Sequence, residues 1–306
     1  MISFLAKHSL IIMFICAFLG FILPKASAAV FPYLPYVLFF LMTLSMIGTD
    51  QPRLMKKLTQ SACWLFALLH SFVFMLLSCV GCYLLGLDSD LTLAIVAVGA
   101  TGSLFATPAI VKAIGFDTVF AMAMTITTTL MLPISLFVTL LLFQQQSVSL
   151  DMYQYGLRLV IFIAGPMLLS FLMYRYIPTT RLKLIHQKIS PLTIVLVFFF
   201  PFGLIGDFRV LWQESASEAY QYLLIACVIC FLFFAVTYFI YKRSGKENAL
   251  ISAITAGNRN VLLSYTVAGS LLGPAFLPLV GALQIPTYFL PMVAKFIAKH
   301  STKNKC

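Results

Sequence analysis

Apolar runs of about twenty residues follow one another along this chain, and they limit its solvent to the lipid bilayer. In lipid every backbone N–H and C=O needs an internal partner, which leaves helices or closed barrels. Runs of this length, without period-two alternation, select helices. Only 9% of the residues are charged and 61% are hydrophobic, against about 25% charged in a soluble domain. Spans are predicted near 4 to 23, 31 to 48, 59 to 86, 91 to 114, 118 to 143, 153 to 174, 189 to 206, 219 to 241, 248 to 271 and 274 to 298, ten in all.

The formal net charge of +11 invites a nucleic-acid reading. Alternating the sides of ten spans gives it another meaning. One side receives Lys7, Arg53, Lys56, Lys57, Lys112, Arg175, Arg181, Lys183, Lys188, Lys242, Arg243, Lys246, Lys295, Lys299, Lys303 and Lys305, which is 16 of the 20 basic residues. Basic residues collect on the cytoplasmic side, so both termini are predicted to be cytoplasmic and the protein multi-pass in a bacterial inner membrane. Asp88, Asp90, Asp151, Asp207, Glu214 and Glu218 fall on the other side. A competing reading of the start exists: Lys7-His8, the apolar run from Leu10 to Leu23 and Ala26-Ser27-Ala28 imitate a cleavable signal peptide. Cleavage would leave nine spans.

Arg259 is the one basic residue that this sorting does not explain. It lies in Gly257-Asn258-Arg259-Asn260, inside an otherwise apolar ninth span. A charge at bilayer depth costs several kcal/mol and marks a pathway or a partner. Spans four (Gly99, Gly102, Pro108) and nine (Gly257, Gly269) are the most interrupted.

The two halves echo each other. Ile47-Gly48-Thr49-Asp50 ends span two and Ile205-Gly206-Asp207 ends span seven. Gly115 precedes Pro133 of span five by 18 residues, and Gly273 precedes Pro291 of span ten by the same 18. Five spans per half place the second copy upside down relative to the first. Inverted repeats with broken helices in matching positions point to a secondary transporter whose site lies where the breaks meet. The repeats are predicted as residues 1–146 and 147–306.

Ala256-Gly257-Asn258-Arg259-Asn260, Gly102-Ser103-Leu104-Phe105-Ala106-Thr107-Pro108 and the Thr-rich fifth span together resemble the bile acid:sodium symporter family over nearly the whole chain. The resemblance implies an all-α fold of ten helices: a panel domain of helices 1, 2, 6 and 7, and a core domain of helices 3 to 5 and 8 to 10. Helices 4 and 9 would be unwound where they cross. It also implies carriage of small organic anions by movement of core against panel.

The match breaks at the ions. Sodium-coupled members carry a glutamate where this chain has Thr255, a crossover glutamine where it has Arg259, and a helix-3 glutamine where it has His70. Thr107 and Thr125 fall near hydroxyl ligands of the other sodium ion, and Asn260 matches the crossover asparagine. A permanent cation beside the place of a missing carboxylate disfavours two-sodium coupling, while a guanidinium fork suits a carboxylate. The predicted substrate-binding residues are therefore Asn258, Arg259, Asn260, Ser103, Phe105 and Thr107. His70, Thr125 and Thr255 are the ion-coupling candidates, with sodium or a proton as the coupling ion and no other cofactor. His70 reads either as a neutral histidine bonded across helices or as a carrier of the coupling proton.

Other features read more plainly. Asp50 and Asp207 are expected as interfacial caps or topological markers. Tyr153, Tyr155, Trp64 and Trp212 suit the membrane interface. Six of the seven cysteines (Cys16, Cys63, Cys79, Cys82, Cys227, Cys230) lie in apolar runs and the seventh is Cys306. Both Cys-x-x-Cys pairs lack His or carboxylate company, so no metal is expected. No His-Asp-Ser set, phosphate loop or intramembrane carboxylate pair supports an enzyme. The expected function is alternating-access transport of a small carboxylate without the usual sodium pair, by a monomer or else a dimer. A symporter retaining one sodium site, and a channel or sensor on the same fold, are the competing readings.

Overall fold

The computed structural model describes residues 8–143 and 151–303. Lys7, Lys305, Cys306 and the predicted repeat boundary at 146/147 lie outside them. Among the described residues the chain is helical throughout, and its one β-type contact is an isolated antiparallel bridge.

In chain order the helices are α1 (Ser9–Ile22), α2 (Pro24–Ile47), α3 (Gln51–Leu58), α4 (Ser61–Leu85), α5 (Ser89–Ala100), α6 (Thr107–Ile114), α7 (Thr118–Leu142), α8 (Met152–Tyr176), α9 (Thr179–Leu204), α10 (Gly206–Glu214), α11 (Ala216–Tyr241), α12 (Lys246–Gly257), α13 (Val261–Ala268) and α14 (Phe276–Lys303). Seven helical stretches are long and apolar enough to cross a membrane: α2, α4, α7, α8, Leu192–Glu214, Ala216–Ser244 and Phe276–Ala298. Shorter apolar helices run over Ile11–Ile22 and Ser89–Ala100.

Local chemistry sets many of the ends. Helix N-termini leave amides without partners, and short acidic or hydroxyl side chains supply acceptors. Asp50 accepts from the Arg53 amide, Asp88 from Leu91, Asp117 from Val119, Asp151 from Tyr153 and Gln154, and Ser215 from Glu218. Asp50 is thus a cap, and Asp207 lies in the first turn of α10. Gly86 ends α4 at φ 63° and Gly115 ends α6 at φ 95°, left-handed positions that glycine reaches without strain. Between α2 and α4, α3 carries Arg53, Lys56 and Lys57 and buries only Leu54, the pattern of a helix lying along an interface.

One layer of helices, α1, α2, α8 and α9, packs together; α4, α5 and α7 pack together, as do α11, α12 and α14, and α14 also packs on α1, α9 and α10. Only 17% of the apolar window of α8 is buried, against 67% of Phe276–Ala298, so α8 turns an apolar face outward and α14 lies inside. Exposed Val160, Leu168 and Phe171 on α8 fit a lipid surrounding and would be a liability in water. Tyr155 departs from its expected interfacial role: it is buried, and its hydroxyl donates to the Pro133 carbonyl at 2.7 Å. One long apolar element therefore meets another through a backbone carbonyl.

Candidate functional site at the crossing of two interrupted helices

The run from α5 to α6 is interrupted at 101–106 and that from α12 to α13 at 258–260. The two interruptions pair. Leu104 N–H donates to the Asn258 carbonyl at 2.9 Å and Asn260 N–H to the Gly102 carbonyl at 2.8 Å, forming the antiparallel bridge Ser103–Arg259. Two unwound segments buried in the protein satisfy each other's backbone, the condition for irregular structure at membrane depth.

Side chains take up the groups the bridge leaves over. Thr101 Oγ1 donates to the Asn260 carbonyl at 3.0 Å and accepts from Ser264 at 2.6 Å. Ser135 Oγ donates to the Ala100 carbonyl at 2.7 Å, and Thr128 Oγ1 accepts from the Ser103 amide at 3.1 Å. Gly102 lies so close to Thr128 that a Cβ there would stand 3.1 Å from its carbonyl oxygen. The sequence offers Thr125, Thr127, Thr128, Thr129 and Thr101 as possible cavity-lining residues, but not the bond of Thr128 to the Ser103 amide, whose position depends on the break.

Arg259 is buried, at 3% exposure. Its Nη1 donates to the Thr101 carbonyl at 2.9 Å, to the His70 carbonyl at 3.1 Å and to His70 Nδ1 at 2.7 Å. The guanidinium carbon lies 4.4 Å from the Phe233 ring centroid and 5.2 Å from that of Phe74, and the two rings stack at 4.2 Å. Aromatic faces attract a desolvated guanidinium while leaving its in-plane N–H groups open. Its Nε and Nη2 have no protein acceptor. Among the described residues the one ion pair is Arg53–Asp117 at 3.5 Å, so no carboxylate neutralises Arg259.

The predicted substrate-binding residues do come together, with unequal freedom. Asn258 is fully buried and neither its amide nitrogen nor its oxygen has a partner. Asn260 Oδ1 caps the Leu263 amide at 3.4 Å while its Nδ2 is unpartnered. Ser103 and Thr107 bond each other at 3.5 Å, and Phe105 is buried. Each ion-coupling candidate makes a hydrogen bond within the protein. The Thr125 hydroxyl donates to the Ala121 carbonyl and that of Thr255 to Ile251, each within its own helix. Thr255 reaches the site through its carbonyl, 3.1 Å from His70 Nε2. Among the described residues no group of three or more His, Cys, Asp or Glu side chains is arranged to hold a metal.

A cavity of about 10 Å³ adjoins the crossing, bounded by Arg259 and Asn260, by Leu38 and Phe200 of the first layer, and by Gln284 and Thr287 of α14. That volume admits about one water. It is too small for an organic solute.

No family model and no curated protein matches this chain.

Proposed function

We propose that this chain is a secondary transporter that moves a small organic anion, a carboxylate, across a bacterial inner membrane by alternating access. The observation that carries this reading is the free edge of Arg259. A buried cation with Nε and Nη2 unpartnered and no acidic neighbour is a costly arrangement in isolation, and the buried Asn258 amide next in sequence is unpartnered too. A bound carboxylate would satisfy it by the two parallel N–H···O bonds for which the guanidinium edge is shaped. The α6 and α13 N-termini at the crossing add partial positive charge.

The fold reading behind this proposal is ten spans in two inverted repeats of five, in the manner of the bile acid:sodium symporter family. The seven long apolar helices, α1, and the two interrupted runs α5–α6 and α12–α13 account for ten. Further support comes from Gly115 and Gly273, each of which precedes its long helix, at Thr118 and Phe276, by three residues. The layer of α1, α2, α8 and α9 would be the panel and the remainder the core. The permanent charge of a guanidinium beside Thr101 and His70 repels a second cation there and argues against two-sodium coupling.

A thermal-shift screen of organic anions, with and without sodium, tests the reading, because a ligand of the folded state stabilises it by about 2.7 kcal/mol at 100 times its Kd. Short carboxylates and keto acids should raise Tm without sodium, and proteoliposomes should exchange labelled for unlabelled solute in counterflow. Sodium-dependent stabilisation would overturn the ion argument, and uncoupled flux without counterflow would favour a channel.

A further inference from the structure

We propose that His70 is the positioning residue for Arg259, holding its guanidinium by accepting a hydrogen bond rather than carrying a proton. His70 lies in a π turn, Leu69–Val73, within α4. Such wide turns mark functional positions in otherwise regular helices. The ring is fully buried between Phe66 and Phe74, at centroid distances of 5.3 Å and 6.1 Å.

Its two nitrogens face partners of opposite kind. The Thr255 carbonyl, 3.1 Å from Nε2, can only accept, so Nε2 carries the hydrogen. Arg259 Nη1 can only donate and lies 2.7 Å from Nδ1 and 3.3 Å from Nε2; with the Nε2 hydrogen given to Thr255, the nearer Nδ1 is the nitrogen left to accept from it. One neutral tautomer satisfies both contacts; a proton added at Nδ1 would set two donors face to face. The ring thereby links α4 to both α12 and the break that follows it.

The consequence concerns which side of Arg259 is left free. The Nη1 group is shared among the carbonyls of Thr101 and His70 and the His70 ring. With that end tethered and its face on Phe233, the guanidinium is left with Nε and Nη2 buried and without a protein partner. Loss of the ring acceptor would leave the group held by two carbonyls alone and free to turn, so the site would keep its charge and lose its aim. The proposal thus deepens the anion-binding reading, on which only its last step rests.

The test uses the whole chain in lipid nanodiscs, with nitrogen-15 labelling of histidine and arginine side chains read by NMR. His70 is assigned as the histidine missing in His70→Gln. It should show Nε2 protonated and Nδ1 unprotonated, with Nδ1 shifting in Arg259→Met. The Arg259 guanidinium should rotate slowly in wild type and in His70→Gln, whose amide supplies both an acceptor and a donor, and freely in His70→Leu. A ring protonated at Nδ1, or guanidinium rotation unaltered in His70→Leu, would overturn the proposal. A misfolded His70→Leu leaves the tautomer and the Gln rescue to decide it. Pyruvate binding supplies the second arm: His70→Leu should bind at least about tenfold more weakly than wild type and His70→Gln within a few-fold, the size of one lost hydrogen bond to a charged group. If the NMR signatures hold while no carboxylate binds wild type, the anion reading fails and the positioning role stands.

Discussion

Arg259 Nη1 lies 2.9 Å from the carbonyl oxygen of Thr101, so the cation of one interrupted run rests just past the C-terminal end of α5 in the other. A cation is favoured at a helix C-terminus, where the last carbonyls carry partial negative charge. The contact ties the two breaks together independently of their backbone bridge. Arg259→Ala removes a buried charge, which relieves desolvation, and strands three acceptors, which costs about 1–3 kcal/mol each. These effects oppose one another, so the variant should remain folded and lose saturable anion binding and counterflow. Retained saturable transport in Arg259→Ala would sink the assignment.

Phe233 offers a second handle on the same cation. At 4.4 Å from the guanidinium carbon and stacked on Phe74, its ring supplies attraction that leucine cannot. A desolvated contact of this kind contributes about 2 kcal/mol. Phe233→Leu should lower Tm in the wild-type background by clearly more than in an Arg259→Met background. Equal losses in the two backgrounds would assign the effect to packing alone.

Much of this arrangement was legible in the sequence, because bilayer burial writes itself into composition. The long spans follow from hydropathy, and the breaks from Gly102, Pro108 and the polar run Gly257 to Asn260. Arg259 stood out because charge sorting failed to place it. What the sequence hid are contacts whose partner is backbone or a ring face. Thr101 and His70 hold Arg259 through carbonyls as much as through side chains, and any Phe in a chain with 29 of them is an equally good candidate for Phe233. Thr125 shows the converse: a hydroxyl at a suggestive position whose donor bond is spent on its own helix.

A pH effect is expected away from the site, at His186 on the segment of α9 that precedes its apolar window. Burial first, and Lys112 second, hold the imidazole below its ordinary pKa. The unfolded chain therefore binds more protons than the folded one as pH falls through about 6.5, and stability declines in that direction. The loss levels off below the folded-state value. Between about pH 7.5 and pH 5, Tm should fall more steeply for wild type than for His186→Gln. Parallel curves would show that His186 makes no contribution.

Thr128 tests whether the break in the first half depends on a side chain. Its Oγ1 accepts from the Ser103 amide at 3.1 Å and donates to the Met124 and Thr125 carbonyls of α7. Thr128→Val keeps the volume and strands a buried N–H at a cost of about 1–3 kcal/mol. Thr128→Ser keeps the bond. Valine should lower Tm and serine largely restore it; a loss in serine with none in valine would assign the threonine's role to its methyl group.

Gly20 determines how closely α1 approaches α9. A Cβ there would run into the carbonyl oxygen of Phe202 and stand 2.9 Å from Ile205 Cγ2. The obstacle is backbone, so no side-chain rotation relieves it and the helices must part. Overpacking of this kind costs about 1–3 kcal/mol. At Gly81 on α4 an added Cβ meets nothing within 4 Å, and the same substitution there also replaces glycine inside a helix. Helix propensity favours alanine at both positions by about 1 kcal/mol, so Gly81→Ala should be neutral or stabilising while Gly20→Ala is destabilising. Opposite signs would come from helix–helix distance alone, because the propensity term is common to both. Equal Tm shifts in the two variants would mean that α1 does not bear on α9 in the folded protein.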